Sequence, residues 1–351
     1  MGTVHSGTIR CLREPSPLTH LRQLEFGKLV NMMEKCLPLL FGFCIDLLIG
    51  DPRGIPHPVV GIGKLIAFLE KKLRSIFPKT PAAERCAGFI LWLIVVTVSA
   101  VLPMLVLHFC GKISPRLRIA AESVMCWQIL AIRDLREESM KVYRALRSGS
   151  LPDARKAVSM IVGRDTDCLD EKGVIRAAVE TVAENTSDGI IAPMLFIALG
   201  GAPAGFFYKA VNTMDSMLGY VDPPYTNFGF FPAKADDVCN YIPARLAALL
   251  MLISGFFLKL DVKNGWRIFR RDRYKHASPN SAQTEAACAG LLRVRLAGDA
   301  WYSGILHKKE FIGDPLREIE TEDIPRACAL EYLSALLMLI LSCVLKILLP
   351  F

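Results

Sequence analysis

The sequence predicts a mainly α polytopic integral membrane protein with about 3–5 membrane segments, some broken or re-entrant, and polar helical loops. Three observations predict it. Of the 351 residues, 52% are apolar and 22% charged, which excludes a disordered chain. The apolar residues also fall in long blocks. Gly88 to Gly111 holds no Asp, Glu, Lys or Arg between Arg85 and Lys112. At ~1.5 Å per residue this block reaches ~36 Å, enough to cross a ~30 Å hydrocarbon core. Finally, strand patterning is weak throughout.

Taken in order, residues 1–31 are polar, lack an apolar core segment and carry Glu14 and Glu25, so they do not read as a secretory signal. They are expected to be an N-terminal extension, disordered or upstream of the true start, with 32–351 as a single membrane domain. Leu37 to Ile49 is apolar except for Asp46 and is short for a span. Pro56 and Pro58 stiffen the turn around His57. Lys64 to Arg74 reads as an amphipathic helix, and Ile119 to Arg147 as helical. Gly189 to Phe207 is uncharged but interrupted by Pro193, Gly200, Gly201, Pro203 and Gly205, which predicts a broken or re-entrant helix. Tyr241 to Leu258 is apolar with one charge, Arg245. The last span is expected at about 328–350.

The net charge of +8 points to an anionic lipid or substrate, since no nucleic-acid-binding motif is present. The run Arg267, Arg270, Arg271, Arg273, Lys275 suits a membrane surface or a merely solvated face. Eleven cysteines without a CxxC give neither a disulfide framework nor a zinc site.

Four polar clusters could carry chemistry. Gly163-Arg164-Asp165-Thr166-Asp167 precedes Glu180, Glu184 and Asp188, which fall at i, i+4 and i+8 on one helix face. Like charges at that spacing repel unless a cation sits among them, and such hard oxygen ligands suit Mg²⁺. A solvated helix face is the alternative. Asn212, Asp215 and Ser216 are helical neighbours that bind a metal or polar substrate, or serve in capping. Asp236, Asp237 and Asn240 precede Pro243 and Arg245. That arginine either snorkels or binds an anion. His276-Ala-Ser278-Pro-Asn280 sits in a basic loop, where a lone histidine is often unremarkable. There is no phosphate-binding P-loop, no G-x-S-x-G and no H-E-x-x-H.

Together these segments resemble the CbiB/CobD family of cobalamin-biosynthesis membrane proteins, the adenosylcobinamide-phosphate synthases. The resemblance runs from about Leu40 to Pro315. It rests on Asp46-Leu-Leu-Ile-Gly-Asp51-Pro with His57-Pro-Val, on Ile161-Val-Gly-Arg-Asp-Thr166, and on Glu180-Thr-Val-Ala-Glu-Asn185 with Ser187-Asp-Gly189. It continues through Asn212-Thr-Met-Asp-Ser216, Asp236-Asp237, Asn240, Pro243-Ala-Arg245 and Ser278-Pro-Asn280. Departures fall in loops: Ser281-Ala-Gln283 follows the Ser-Pro-Asn motif where a glycine is usual, Lys234-Ala235 stands for an arginine-leucine pair, and Ala297-Gly298 for a glycine pair.

The resemblance implies a multi-pass enzyme of the cell (inner) membrane that joins adenosylcobyric acid to (R)-1-aminopropan-2-ol or its O-phosphate. ATP is consumed, Mg²⁺ accompanies it, and the corrinoid is substrate. No nucleic-acid partner is expected. Association with other B12-pathway enzymes, or with a second copy, is left open. A carboxylate is a poor acyl donor; ATP converts it to an acyl phosphate that an amine attacks. Such a site needs Mg²⁺, cations for the leaving phosphate and a base for the amine. On this basis Asp165, Glu180, Glu184 and Asp188 are expected to handle metal and phosphate. Asp215, Asp236 and Asp237 are expected as base or second metal ligands, and His57 or His276 as proton relay. Arg164, Lys209, Asn212, Arg245, Ser278 and Asn280 are expected to bind substrate or phosphate.

One difficulty is topological. A span at 88–111 would place His57 and Asp165 on opposite faces, unless Ile119 to Ile132 also crosses or the site lies among broken helices near the midplane. Two rival readings remain: a corrinoid or ion transporter, and an AmpE-like non-catalytic membrane regulator.

Overall fold

The computed structural model describes residues 17–52, 54, 56–220, 224–302 and 304–348, with side chains from Met33 onward. Proline and short polar side chains start its helices. Thr80 Oγ1 accepts Ala83 N–H ahead of Pro81 at the head of α3 (Pro81–Ile113). Helix α1 (Pro17–Ile49) comes first, so the backbone of 17–31, expected to be a loose extension, is helical; residues 1–16 lie outside the described set. Helix α2 (Pro58–Ile76) is amphipathic and buries Ile62, Ile66, Leu69 and Leu73.

Helix α3 leads away, and α4 (Pro115–Trp127) turns back along it. At the end of α4, Trp127 donates Nε1–H to the Gly50 carbonyl at 2.9 Å. This return resolves the topological difficulty: the chain is back beside the Gly50–His57 stretch before α5 begins. The stretch Ile119 to Arg147, expected to be helical, is divided between α4 and α5 (Ile132–Arg147). Asp46 explains the break. Its Oδ2 accepts Ile132 N–H and Arg133 N–H at 3.0 and 3.3 Å, supplying from α1 the cap that α5 lacks locally.

Helices α6 (Leu151–Val158) and α7 (Glu171–Asn185) follow, the latter capped by Asp170. A π-turn (Thr186–Ile191) joins α7 to α8 (Ala192–Leu218). Within α8 the chain reverses at Gly200 and Gly201, where Gly201 takes φ +66°. That left-handed conformation is open to glycine and strained for other residues. Gly205 on the returning arm presses so closely on Ile197 and Ile129 that an added Cβ would lie 2.7 and 2.9 Å from them. The expected break in this segment is thus present.

Helices α9 (Phe230–Cys239) and α10 (Tyr241–Phe257) are bent by 45° at Asn240. Then come α11 (Val262–Asp272), α12 (Ser281–Leu292), two small antiparallel pairs and the closing α13 (Asp323–Leu348). Strand β1 (Leu296–Ala297) pairs with β4 (Phe311–Ile312), and β2 (Ala300–Tyr302) with β3 (Ile305–His307).

Among the described residues three helical stretches are long and apolar enough to cross a membrane: Pro81–Ile113, Glu171–Leu218 and Asp323–Leu348. The bent α9–α10 pair makes a fourth. The Gly200–Gly201 break folds the second of these back on itself. Phe89, Leu93, Leu102 and Phe109 on α3, Ile253 and Phe256 on α10, and Leu336 and Ile340 on α13 face outward, as lipid-facing residues do. This is a polytopic membrane architecture. Of the basic run along and just after α11, three members are paired internally. Arg267 and Arg271 pair with Asp314 at 2.6 and 2.8 Å, and Arg271 and Lys275 with buried Asp272 at 2.7 and 3.0 Å.

Candidate active site

The reversal in α8 builds the site. It returns Tyr208, Lys209, Asn212 and Asp215 to the π-turn that carries Asp188. The Tyr208 hydroxyl lies 2.8 Å from Asn240 Oδ1 and 3.1 Å from the Asp188 carbonyl oxygen. Asn240 donates to Asp236 Oδ2 at 3.0 Å, and Asn212 reaches Asp236 Oδ1 at 3.5 Å. Asp188, Asp215, Asp236 and Glu184 lie within electrostatic reach of one another. Four carboxylates from four successive elements therefore share one polar region. Asp237 adds its charge from beside Asp236 and is paired with Lys234 at 2.8 Å.

One flank is cationic at Lys209, which interacts with Asp188, Asp51 and Asp46. Next to it His57 Nε2 stands 3.6 Å from Asp51 Oδ2. Burial raises the Asp51 carboxyl above its usual range, against the pull of His57 and Lys209. Burial also raises Asp134 at the head of α5, and the Asp51 charge adds to the effect.

The other flank lies between α7 and α12. Ser281 donates its hydroxyl to Glu184 Oε1 at 2.9 Å. His276 and Glu285 sit within electrostatic reach of Glu184, and Glu285 also feels Glu180, Arg164 and Lys309. Burial, reinforced by Glu180 and Glu184, lifts the Glu285 carboxyl well above the ordinary range, which favours its neutral form.

The two histidines share one device. His57 Nδ1 accepts Val59 N–H at 3.3 Å, and His276 Nδ1 accepts Ser278 N–H at 3.0 Å. Burial lowers the pKa of both below the usual 6.5. Each neutral ring therefore carries its proton on Nε2. They are placed to donate a hydrogen bond at Nε2 rather than to take a proton there.

Other expected residues have their polar atoms engaged within the chain. Glu180 pairs with Arg164 and accepts Ala297 N–H. Asp165 accepts Gly304 N–H at 2.8 Å, while its own N–H bonds the Trp301 carbonyl at 2.8 Å, so it holds the β2–β3 hairpin. The strict i, i+4, i+8 face is not kept. The wider π-turn rotates Asp188 toward Asp236 and Tyr208, while Glu180 turns to Arg164. Asn280 donates to the Asp237 carbonyl at 2.9 Å and meets Arg245 Nη1 at 3.3 Å. Its own N–H bonds Ser278 Oγ. Arg245 stacks over Tyr241. The Ser278-Pro-Asn280 motif thus ties α9 and α10 to α12.

Among the described residues no three His, Cys, Asp or Glu side chains converge as a ready-made metal cage. Mg²⁺ carried on a triphosphate needs only one or two protein carboxylates, which the Glu184–Asp188–Asp236 region offers. Sequence reasoning missed Tyr208, Lys309, Asp134 and Glu285 as site residues. The signal for Glu285 was its being the only charge in the otherwise uncharged Ser281–Leu292 stretch. Lys309 and Asp134 gave none, because helical spacing links neither Lys309 to Glu285 nor Asp134 to Asp51.

A model of the family described as CobD/Cbib protein matches residues 39–331, which takes in every residue of this cluster. The chain belongs to the CobD/Cbib family. It is 45% identical to the cobalamin biosynthesis protein CobD of Clostridium perfringens over 315 residues, 89% of this chain and 99% of the relative. It is 44% identical to the protein of the same name from Geobacter metallireducens, covering 89% and 97% of the two chains. The Yersinia enterocolitica protein of that name is 42% identical, with 85% and 94% covered. No solved structure matches. The CobD/Cbib membership assigns the chain a role in cobalamin biosynthesis.

Proposed function

We propose that this CobD/Cbib protein is the amide-forming ligase that joins adenosylcobyric acid to (R)-1-aminopropan-2-ol or its O-phosphate at the expense of ATP, in the inner membrane. The observation that supports this reading is the meeting of Glu184, Asp188, Asp215 and Asp236 in one region, flanked by Lys209 on one side and Arg164 with Lys309 on the other. Acyl activation by ATP calls for both signs of charge together. Mg²⁺ would offset the phosphate charge, with Glu184 and Asp188 to hold it. Asp215 and Asp236 take the role of base toward the amine, since the histidines present Nε2–H. Those two rings and Lys209 donate to phosphate oxygens or to the oxyanion that develops at the acyl carbon.

The test incubates membranes holding the full chain with cobyric acid, ATP, Mg²⁺ and each amine, with products read by mass. Amide product that vanishes in Glu184→Gln and Asp236→Asn supports the proposal. Near-normal turnover in both variants sinks it. The re-entrant helix beside a polar cluster also suits solute passage. Flux of corrinoid into vesicles without amide product would favour that second reading.

A further inference from the structure

Two membrane-crossing stretches end at one place. The end of α10 at Phe257, the end of α12 at Leu292 and the approach to α13 enclose an open cavity of about 580 Å³. Its polar lining is Lys259, Asp261, Arg293, Arg317, Glu320 and Arg326, over a floor of three leucines. Four cations face two carboxylates. None of these residues belongs to the cluster described above.

The lining cations are held in place. Buried Asp323 accepts from Arg317 and Arg326 at 2.8 and 2.9 Å, which fixes both guanidinium groups at the rim. Lys259 and Arg293 are positioned by the backbone, and Arg293 Nε lies 3.8 Å from Asp261 Oδ2. Lys259 N–H bonds the Phe256 carbonyl and Leu260 N–H the Gly255 carbonyl. Arg293 N–H bonds the Gly290 carbonyl and Val294 N–H the Ala289 carbonyl. Both residues therefore occupy the left-handed position that closes a helix, with φ of +57° and +62°. Glycine or asparagine is the ordinary choice there. A long cation at both positions is a strained choice that points to use of the side chain.

The surroundings are those of a membrane boundary. Phe256, Phe257 and Leu258 stand exposed at the end of α10. Helix α11 follows directly, with Ile268 and Phe269 inward and Lys263, Trp266 and Arg270 outward, at i, i+3 and i+7. A tryptophan with flanking cations is the pattern of a helix lying at the headgroup level.

We propose that this cavity binds the headgroup of an anionic glycerophospholipid, its phosphate between Lys259 and Arg293 and its acyl chains along Phe256 and Phe257. A soluble phosphate ester would answer to the same cations, but it would leave the apolar rim unused. The rim is what commits the site to a lipid. The inference does not depend on the ligase reading.

The test purifies the full chain in detergent, adds equal phosphatidylglycerol and phosphatidylcholine, and counts retained lipids by native mass spectrometry. Wild type should retain phosphatidylglycerol preferentially. The double variant Lys259→Asn with Arg293→Asn keeps residues that accept left-handed backbone, and Lys259→Gly with Arg293→Gly relieves the strain altogether. Either should lose phosphatidylglycerol affinity by about fivefold per charge, roughly 25-fold in all, with phosphatidylcholine unchanged. Equal retention of the two lipids by wild type overturns the proposal. So does unchanged preference in a double variant that melts as wild type does. Displacement of the bound lipid by millimolar glycerol 1-phosphate overturns the lipid assignment in favour of a soluble ester.

Discussion

The Phe196 ring stacks on Tyr208 with centroids 5.0 Å apart, although twelve residues separate them. In a straight helix they would be ~18 Å apart along the axis. The chain folds back between them at Gly200 and Gly201, and that fold places the Tyr208 hydroxyl against Asn240 and the π-turn. Near this reversal, Ala202 N–H is 3.3 Å from Glu122 Oε1 of α4, a partner for a backbone donor freed by the break.

Substitutions at the reversal should act through packing. Gly205→Leu forces a side chain onto Ile197 and Ile129, and overpacking of this kind costs about 1–3 kcal/mol. A lowered thermal midpoint in detergent, with loss of amide product, is expected. A midpoint equal to wild type would show that the two arms can part.

Removing the Tyr208 hydroxyl should separate alignment from folding. Tyr208→Phe keeps the stack on Phe196 but leaves Asn240 Oδ1 without its partner, a loss of about 1–3 kcal/mol for a buried acceptor. Product formation should fall at least as steeply as stability. Full activity would mean that Asn240 holds Asp236 unaided.

Asp272 should govern acid stability. Burial by itself would raise its pKa, but hydrogen bonds from Arg271, Gly313 N–H and Lys275 hold it at about 2, below the ordinary 3.8. A carboxylate with a depressed folded pKa stabilises the fold above the unfolded value. That contribution fades as pH falls from about 4 toward 2. Asp272→Asn removes the charge that Arg271 and Lys275 face, although Arg271 keeps Asp314, so it should lower neutral stability by about 2 kcal/mol and flatten the acid limb. Melting curves between pH 2 and 7 would check both.

Glu285 should behave in the opposite sense. Its folded pKa is raised, so the protonated fold is favoured, and stability declines as pH rises above the unfolded value of 4.5. Glu285→Gln keeps shape and neutrality. Its thermal midpoint should exceed wild type at pH 7 and approach it near pH 4.5. A lower midpoint for the glutamine variant at pH 7 would show that the carboxylate is ionised.

Asp165 should prove to act through structure. Asp165→Ala removes the bond to Gly304 N–H that holds the β2–β3 hairpin. Faster proteolysis around 296–312, with corrinoid activity reduced rather than abolished, is expected. Complete loss with an intact hairpin would return Asp165 to phosphate handling.

Much of this molecule was legible along the chain. The apolar blocks announced the spans, because a lipid core demands a minimum length of uncharged helix. The Gly200-Gly201 pair among prolines announced the re-entrant break, because few other residues accept that backbone. The carboxylate motifs named Glu184, Asp188, Asp215 and Asp236. What the chain could not announce was which charges are spent inside the fold. Helical spacing put Glu180, Glu184 and Asp188 together, but a π-turn and the Arg164 pair divided them. Asp46, Asp165 and the arginines Arg267 and Arg271 of α11 likewise found partners far along the chain.

By itself the sequence determined the helical membrane class, the place of the break and the family. Only the tertiary structure decided which acids remain available, which histidine nitrogen carries the proton and where cations collect beside the bilayer. Local periodicity governs neighbours three or four residues apart. The pairing of charges across a hundred residues is set by which helices pack together, and a fully buried charge must find its partner wherever that packing puts one.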